Sequence, residues 1–99
     1  MSRYQLTPEA QSNLEAIADF IAEESLDAAI RVIDALEQAI QRLAEMPEIG
    51  HFREDLTERP VKFWSVFSYM IVYDPASRPL TILAILHGAT DLETVLRNV

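Results

Sequence analysis

The sequence contains no cysteine and only two glycines in 99 residues. Without cysteine there is no disulfide framework, no thiolate metal site and no cysteine nucleophile. The glycine-rich phosphate-binding patterns GxGxxG and GxxxxGK[ST] do not occur, and neither does the GxSxG pattern of serine hydrolases. These absences exclude several large classes of nucleotide-binding and nucleophilic enzymes.

Long apolar runs and clusters of metal-binding residues are also missing. The longest apolar runs have the length of a strand, so we expect no membrane-spanning segment. Met1 to Thr7 is short and mixed, unlike a signal peptide, so a cytoplasmic location is expected. His51 and His87 are the only histidines, and neither has a second ligand at helical or hairpin spacing. We therefore predict no metal and no cofactor.

Basic residues are few, with 8 Lys and Arg against 16 Asp and Glu, giving a net charge of −8. This balance argues against broad binding to a nucleic-acid backbone, which needs clustered cations. Residues 1–58 hold thirteen acidic and four basic side chains, whereas residues 59–99 hold three and four. The acidic half is interpreted either as solvated helix faces or as a sign that the neutral half is the contact surface.

Hydrophobic residues make up 49% of the chain, which is enough for one small domain over residues 1–99. Residues 3–6 alternate and predict a short strand. Thr7 and Ser25 each precede a helical pattern and are candidate N-caps, and Pro8 fits a first turn. The first helix has apolar positions at Leu14, Ile17, Ala18 and Ile21. The second has them at Ala29, Ile33, Leu36, Ile40 and Leu43, widened by Ile30 and Val32.

The pattern changes from helical to β after Pro47 and Gly50. Residues 51–60 are polar and predict a loop. Strands are predicted at residues 61–67, 69–74 and 80–87, with turns at Ser68 and at residues 75–79. In the last strand, alternation predicts one face with Ile82, Ala84 and Leu86 and another with Leu83 and Ile85.

Asp91 is then a candidate cap for a short C-terminal helix that packs on the sheet. The predicted fold class is α+β with the order β-α-α-β-β-β-α. It is a helical hairpin packed on a small, mainly antiparallel sheet.

Three residues near the predicted sheet carry groups that metal-free RNA cleavage would use. Such a reaction needs a base, an acid and a cation that stabilises the charged phosphate. His87, Lys62 and Tyr69 are weak candidates for these roles. Each also has a structural interpretation, because Tyr69 lies in an apolar strand and His87 at a strand end. No catalytic residue is assigned from these patterns.

Several blocks of the sequence together resemble the ParE branch of the ParE/RelE toxins. They are RYQLTPEAQSNLEAIADFIAEES, LAEMPEIG, GHFREDL, YMIVYD and ILAILHGATDL, in that order from Arg3 to Leu92. The most informative are LAEMPEIG, with Pro47 and Gly50, and the strand end with His87 and Gly88.

The resemblance implies a toxin of a bacterial type II toxin–antitoxin system, with a helical hairpin on a small sheet. ParE-like members act on DNA gyrase and RelE-like members cleave mRNA on the ribosome. Both are neutralised by an antitoxin whose extended C-terminal segment wraps the toxin. The predicted partners are thus a cognate antitoxin and DNA gyrase.

The chain also departs from the family at three positions where members often carry cations. These positions hold Ser68, Ala84 and Thr90. Fewer cations weaken the case for RNA cleavage, because a scissile phosphate needs positive charge around it. Three hypotheses remain: a gyrase-binding inhibitor, a ribosome-dependent mRNA endonuclease, and a member of the fold that binds an antitoxin but is no longer toxic.

Two contact surfaces follow from these hypotheses. For the target we predict contacts from Arg53, Arg59, Lys62 and His87. For the antitoxin we predict an exposed aromatic surface near one sheet edge, formed by Phe63, Trp64 and Phe67. Such an edge suits an added strand or an amphipathic helix.

Overall fold

A computed structural model of the chain describes residues 3–88, so Thr90 and the helix predicted to begin at Asp91 lie outside the described residues. The elements are β1 Tyr4–Leu6, α1 Pro8–Ala22, α2 Leu26–Glu45, a short 3-10 helix Pro47–Ile49, β2 His51–Phe52, β3 Lys62–Val66, β4 Tyr69–Asp74 and β5 Leu80–His87. The α+β class and the predicted hairpin and strands are confirmed, with one strand added.

Both predicted helix starts are confirmed. The Thr7 hydroxyl accepts a hydrogen bond from the Ala10 N–H at 3.1 Å, and Pro8 is the first residue of α1. The Ser25 hydroxyl accepts one from the Ala28 N–H at 3.1 Å. Each cap satisfies a backbone donor that has no partner in the first helical turn. Among residues 3–88, neither helix combines the length and apolarity needed to cross a bilayer.

The sheet has the order β1-β5-β4-β3-β2. β1 pairs parallel with β5, and the other neighbours are antiparallel. The loop predicted at residues 51–60 is wrong at its start, because His51 and Phe52 pair with Phe63 and Lys62. His51 and Phe52 are both exposed, so they show none of the alternation from which a strand is predicted. Only their pairing with β3 makes them a strand.

A β-bulge in β5 changes which face its residues occupy. Val72 pairs with Ala84, but the next residue, Tyr73, pairs with Ile82, which leaves Leu83 as an extra residue. The alternation predicted for β5 is therefore wrong across this point. Ile82 faces the helices, whereas Ala84 and Leu86 belong to the opposite face.

Two helix residues hold the bulge in place. The Thr7 hydroxyl donates to the Leu83 carbonyl at 3.0 Å. The Asn13 side-chain oxygen accepts from the Ile85 N–H at 3.0 Å. β1 stops at Leu6, so without these side chains the backbone of β5 beyond that point would form an unpaired edge. The start of α1 thus closes the edge that the short β1 leaves open.

Two apolar layers lie on opposite faces of the sheet. The larger layer lies between the helices and the sheet, and its fully buried members include Leu36, Ile40, Leu43, Ile71, Tyr73, Leu80 and Ile82. The smaller layer is formed by Val61, Phe63, Val72, Ala84 and Leu86. Alternation in β3 therefore sends Trp64 and Val66 to the helix side and Phe63 to the other side.

Candidate functional site

The predicted site residues lie at two opposite ends of the sheet. Lys62 begins β3 and is aligned, through Tyr73, with Ile82 near the start of β5. His87 ends β5 and pairs with Tyr69. Ile82 and His87 are five residues apart along the strand, about 16 Å at the usual rise per residue. Lys62 and His87 are therefore not brought together.

His87 and Tyr69 do meet. Their ring centroids are 5.0 Å apart and the planes are tilted by 40°. Tyr69 is buried, as its structural interpretation predicted, and His87 is exposed. Gly88 follows with a φ of 66°, the left-handed region that glycine adopts without steric cost, and its N–H donates to the Ser68 carbonyl at 3.0 Å. The strand-end His-Gly pair thus joins the end of β5 to the β3–β4 turn.

The three predicted cations lie together at the other end. Arg53 and Arg59 belong to the segment between β2 and β3, and Lys62 begins β3. Arg53 forms two hydrogen bonds with the Asp55 carboxylate, at 3.0 and 2.9 Å. This pairing raises the pKa of Arg53 and lowers the pKa of Asp55, chiefly through the hydrogen bonds. Much of the Arg53 charge is therefore already balanced.

Lys62 is held in place without a carboxylate partner among residues 3–88. Its ammonium donates to the Glu48 carbonyl at 2.9 Å and lies 4.8 Å from the centroid of the Phe52 ring. The aromatic face and the carbonyl both favour the cation but leave its charge uncancelled. Arg59 is exposed in the neighbouring loop. Arg59 and Lys62 are thus cations available to a partner.

This geometry bears on the catalytic candidates. A general acid or base must lie within about 3 Å of the proton that it moves, or reach it through one water. The rings of Tyr69 and His87 lie side by side, but Lys62 is at the far end of the sheet. The residues that the structure describes therefore do not assemble the base, acid and cation of the RNase hypothesis in one groove.

The predicted aromatic surface is only partly exposed. Phe63 is 3% exposed, because alternation turns it into the smaller apolar layer, so the prediction of an exposed Phe63 is wrong. Trp64 is half-buried on the helix side and stacks with His51 at a ring distance of 6.2 Å. Phe67 is 73% exposed and has a φ of 55°. It is the first residue of the two-residue turn that joins β3 to β4.

The edge of β3 beside these aromatics is open. β2 covers only Lys62 and Phe63, so among residues 3–88 the stretch from Trp64 to Val66 has a strand on one side alone. Its outer N–H and C=O groups form a template for an added strand. Ser65 is exposed, and the two flanking residues are half-buried.

Sequence reasoning missed a cleft beside Lys62. Its volume is 330 Å³, and it is lined by Pro47, Glu48, Phe52, Lys62, Pro75, Ala76 and Arg78. The residues come from three separate segments: the turn after α2, the start of the β2–β3 pair and the β4–β5 turn. No spacing in the sequence indicates that these segments meet. Arg78 was recognised only as part of a turn, yet it adds a further cation near Lys62.

The described part of the chain contains no group of acidic, histidine or cysteine side chains that could hold a metal ion. The fold is a helical hairpin on a five-stranded mixed sheet, and one stretch of β3 forms an open edge. A solved structure titled "Chromosomal ParDE TA system from P. aeruginosa" has a chain similar to this one, with a TM-score of 0.70 and 20% identity. The match covers 89% of this chain and 96% of that chain, and at this identity it shows the fold alone.

A family model places the chain more closely. The model described as "ParE toxin of type II toxin-antitoxin system, parDE" matches residues 4–92. The chain therefore belongs to the ParE toxin family of type II toxin–antitoxin systems. Comparison with curated proteins gives no match.

Proposed function

We propose that the chain is a toxin that inhibits DNA gyrase by binding it, and that a cognate antitoxin neutralises the toxin. The observation that carries the proposal is the separation of Lys62 from the Tyr69–His87 pair by most of the length of the sheet. A binding inhibitor does not need these groups to converge, whereas a nuclease does. Family membership supports the toxin role.

The target contact is proposed at the cationic end of the sheet, through Arg53, Arg59 and Lys62. Arg59 and Lys62 contribute most, because Arg53 is already paired with Asp55. The cleft beside Lys62 adds an apolar wall next to these charges. His87 lies at the opposite end and is proposed as a separate contact, tested by its own variant. Complementary charge of this kind sets specificity and association rate more than affinity.

The antitoxin contact is proposed at the open edge of β3. A strand added from Trp64 to Val66 would gain backbone hydrogen bonds, and Phe67 would supply an exposed ring at the end of that edge. Phe63 lies beneath this edge in the smaller apolar layer and supports it from inside. A bulky residue with positive φ at an exposed turn is costly, which supports a contact role for Phe67.

A supercoiling assay with purified gyrase tests the target proposal. Wild type and the variant Arg59→Gln/Lys62→Gln are titrated against gyrase and relaxed DNA. Wild type should inhibit supercoiling. The variant should inhibit to the same extent only at a concentration at least about tenfold higher, as expected for lost charge contacts at the interface. Arg31→Gln/Arg42→Gln, on exposed positions of α2, is the matched control for charge.

Three outcomes separate the alternatives. Equal inhibition by the variant and the control would contradict the cationic end as the contact. Loss of inhibition in His87→Gln alone would place the contact at the opposite end of the sheet. Absence of inhibition by wild type, with intact folding and antitoxin binding, would contradict the gyrase proposal.

A second candidate is a non-toxic member that only binds its antitoxin. The observation that favours it is Ala84, which is fully buried in the smaller apolar layer. A position that often carries a cation in the family is here part of a core. Induction of the chain alone in bacteria distinguishes the two, because this candidate predicts normal growth while the antitoxin still binds.

A further inference from the structure

Two cations line the cleft beside Lys62, and neither is paired with a carboxylate. They are Lys62, at the start of β3, and Arg78, in the turn between β4 and β5. The two ion pairs found within residues 3–88 involve Arg3 and Arg53, so Lys62 and Arg78 have no ion pair there. Two positive charges from separate segments therefore border one cleft without a bound counter-charge.

Backbone carbonyls hold both cations and leave some of their N–H donors unused. The Lys62 ammonium, which has three donors, donates to the Glu48 carbonyl at 2.9 Å. Arg78 uses one nitrogen, Nη1, which donates to the Pro75 and Ser77 carbonyls at 3.0 and 2.6 Å. Within residues 3–88 its Nε and Nη2 donate to no acceptor. Both side chains are thus positioned by the fold and can still donate to an anion.

The wall of the cleft between these cations is largely apolar. Its volume is 330 Å³, and Pro47, Phe52 and Pro75 are among the residues that line it. Phe52 is 54% exposed, and its ring lies 4.8 Å from the Lys62 ammonium. A cavity of this size is at the small end of the range for ligand pockets. It suits an anionic side chain that has an apolar neighbour.

The charge of the cleft favours a single carboxylate. Besides the two cations, the carboxylate of Glu48 lines the cleft, which leaves one positive charge uncompensated. A phosphate group, with a charge near −2 at neutral pH, would exceed this charge and lie close to Glu48. Nucleic acid would bring a row of negative charges to a chain of net charge −8. The planar fork of Arg78 also matches the two oxygens of a carboxylate.

We propose that the cleft receives one Asp or Glu side chain of the protein target, from a segment in which that residue is next to an apolar one. Lys62 and Arg78 donate to the carboxylate, and the apolar neighbour lies against Phe52. The inference rests on the proposed function, in which the cationic end of the sheet contacts the target. It adds Arg78 to that contact and states which chemistry the contact recognises.

An NMR titration of the isotope-labelled full chain tests the proposal. The probe is the pentapeptide acetyl-Ala-Leu-Glu-Phe-Ala-amide, and the matched peptide has Gln in place of Glu. Arg78→Gln removes the charge and the fork, whereas Arg78→Lys keeps the charge alone. Arg31→Gln, at an exposed arginine of α2, is the control. A second pair, Ala76→Glu and Ala76→Gln, adds a side chain of equal size to the cleft with and without a carboxylate.

Wild type should bind the glutamate peptide at least about tenfold more tightly than the glutamine peptide, with affinity that falls as salt is raised. The signals that shift should be those of the residues that line the cleft. Arg78→Gln should lose roughly tenfold, Arg78→Lys should lose less, and Arg31→Gln should match wild type. Ala76→Glu should lose more than Ala76→Gln, because its own carboxylate competes for the cations.

Equal affinity of Arg78→Gln and wild type for the glutamate peptide would overturn the proposal, and so would equal affinity of wild type for the two peptides. Tighter binding of inorganic phosphate than of the glutamate peptide would overturn it too, since the ligand would then be a small anion. Concentration-dependent dimerisation of wild type that Arg78→Gln abolishes would make a second copy the occupant. Urea unfolding curves, expected to match wild type because Arg78 and Ala76 are exposed, separate lost binding from misfolding.

Gyrase supercoiling measured in parallel separates this inference from the proposed function. Arg78→Gln should inhibit to the same extent as wild type only at a concentration roughly tenfold higher. If wild type inhibits gyrase but does not distinguish the two peptides, the inference is wrong and the proposed function stands. If wild type binds the glutamate peptide through Arg78 but does not inhibit gyrase, the carboxylate site stands and gyrase is not its target.

Discussion

At the scale of single residues, the contact between Tyr73 and Gly50 ties the sheet to the end of the helical hairpin. The buried Tyr73 hydroxyl donates to the Pro47 carbonyl at 2.7 Å and accepts from the Gly50 N–H at 3.0 Å. A Cβ on Gly50 would overlap this hydroxyl and lie 2.8 Å from two ring carbons. Gly50 has an ordinary extended backbone, so glycine is required here for space and not for its φ.

Removing this hydroxyl should destabilise the fold. Tyr73→Phe leaves the Pro47 carbonyl and the Gly50 N–H without their partner, which costs about 1–3 kcal/mol in the free energy of unfolding. Urea unfolding at pH 7 measures the cost. Tyr4→Phe is the control, since the Tyr4 hydroxyl makes no hydrogen bond within residues 3–88. Equal stability of the two variants would contradict the role assigned to Tyr73.

The same hydroxyl predicts a pH dependence. Burial raises the pKa of Tyr73, with a further increase from Glu48 and a partial decrease from the Gly50 hydrogen bond. A group whose pKa is raised on folding keeps its proton to a higher pH in the folded state than in the unfolded chain. Its stabilisation is complete below the unfolded pKa near 10 and is lost as pH rises through the folded value. Wild type should therefore lose stability above about pH 10 more steeply than Tyr73→Phe. Urea unfolding between pH 9 and 11 measures the free energy of unfolding of both proteins. The same dependence on pH in the two proteins would contradict this prediction.

Phe67 predicts a conflict between stability and binding. A left-handed backbone costs a bulky residue about 1–2 kcal/mol, and asparagine tolerates this region better. Phe67→Asn should therefore keep or raise the stability of the free protein while weakening antitoxin binding. Urea unfolding and calorimetric titration with the antitoxin measure the two effects.

The control for Phe67→Asn is Phe52→Asn, at an exposed phenylalanine on the other end of the sheet. The backbone of Phe52 is not in the left-handed region, so this change should not stabilise the protein. A clear loss of stability in Phe67→Asn would show that the ring contributes to the fold and not to a partner.

At the scale of elements, the edge of β5 depends on the first turn of α1. The Thr7 hydroxyl accepts a hydrogen bond that caps α1 and donates a second one to the carbonyl of Leu83 in the bulge. The variant Thr7→Val keeps the shape and loses both bonds, at a cost of about 1–2 kcal/mol. Thr7→Ser keeps both and should cost much less. Urea unfolding of the two variants measures these costs, and equal losses of stability would contradict the double role of Thr7.

The elements show where sequence was sufficient. The two helices followed from capping residues and apolar spacing that depend on neighbours in the chain, and the structure confirms them. The bulge at Leu83 could not be predicted in this way, because it is set by contacts from Thr7 and Asn13, more than seventy residues away. β2 was missed for the same reason, since its pairing with β3 is its only signal.

At the scale of the whole molecule, the sheet separates two surfaces of different character. One end carries Arg53, Arg59 and Lys62 with a partly apolar cleft, and the other carries the Tyr69–His87 pair. The sequence suggested the candidate residues but not their separation. The distance between a residue of β3 and a residue of β5 can be estimated only when the register of the sheet is known.

We propose that this chain acts by binding a protein target and does not cleave RNA. Pulse labelling tests it most directly: the chain alone is induced in bacteria, and DNA and protein synthesis are followed in parallel over the first minutes. If the chain inhibits gyrase, DNA synthesis should fail first. Protein synthesis failing first would contradict the proposal and would favour the hypothesis of a ribosome-dependent mRNA endonuclease.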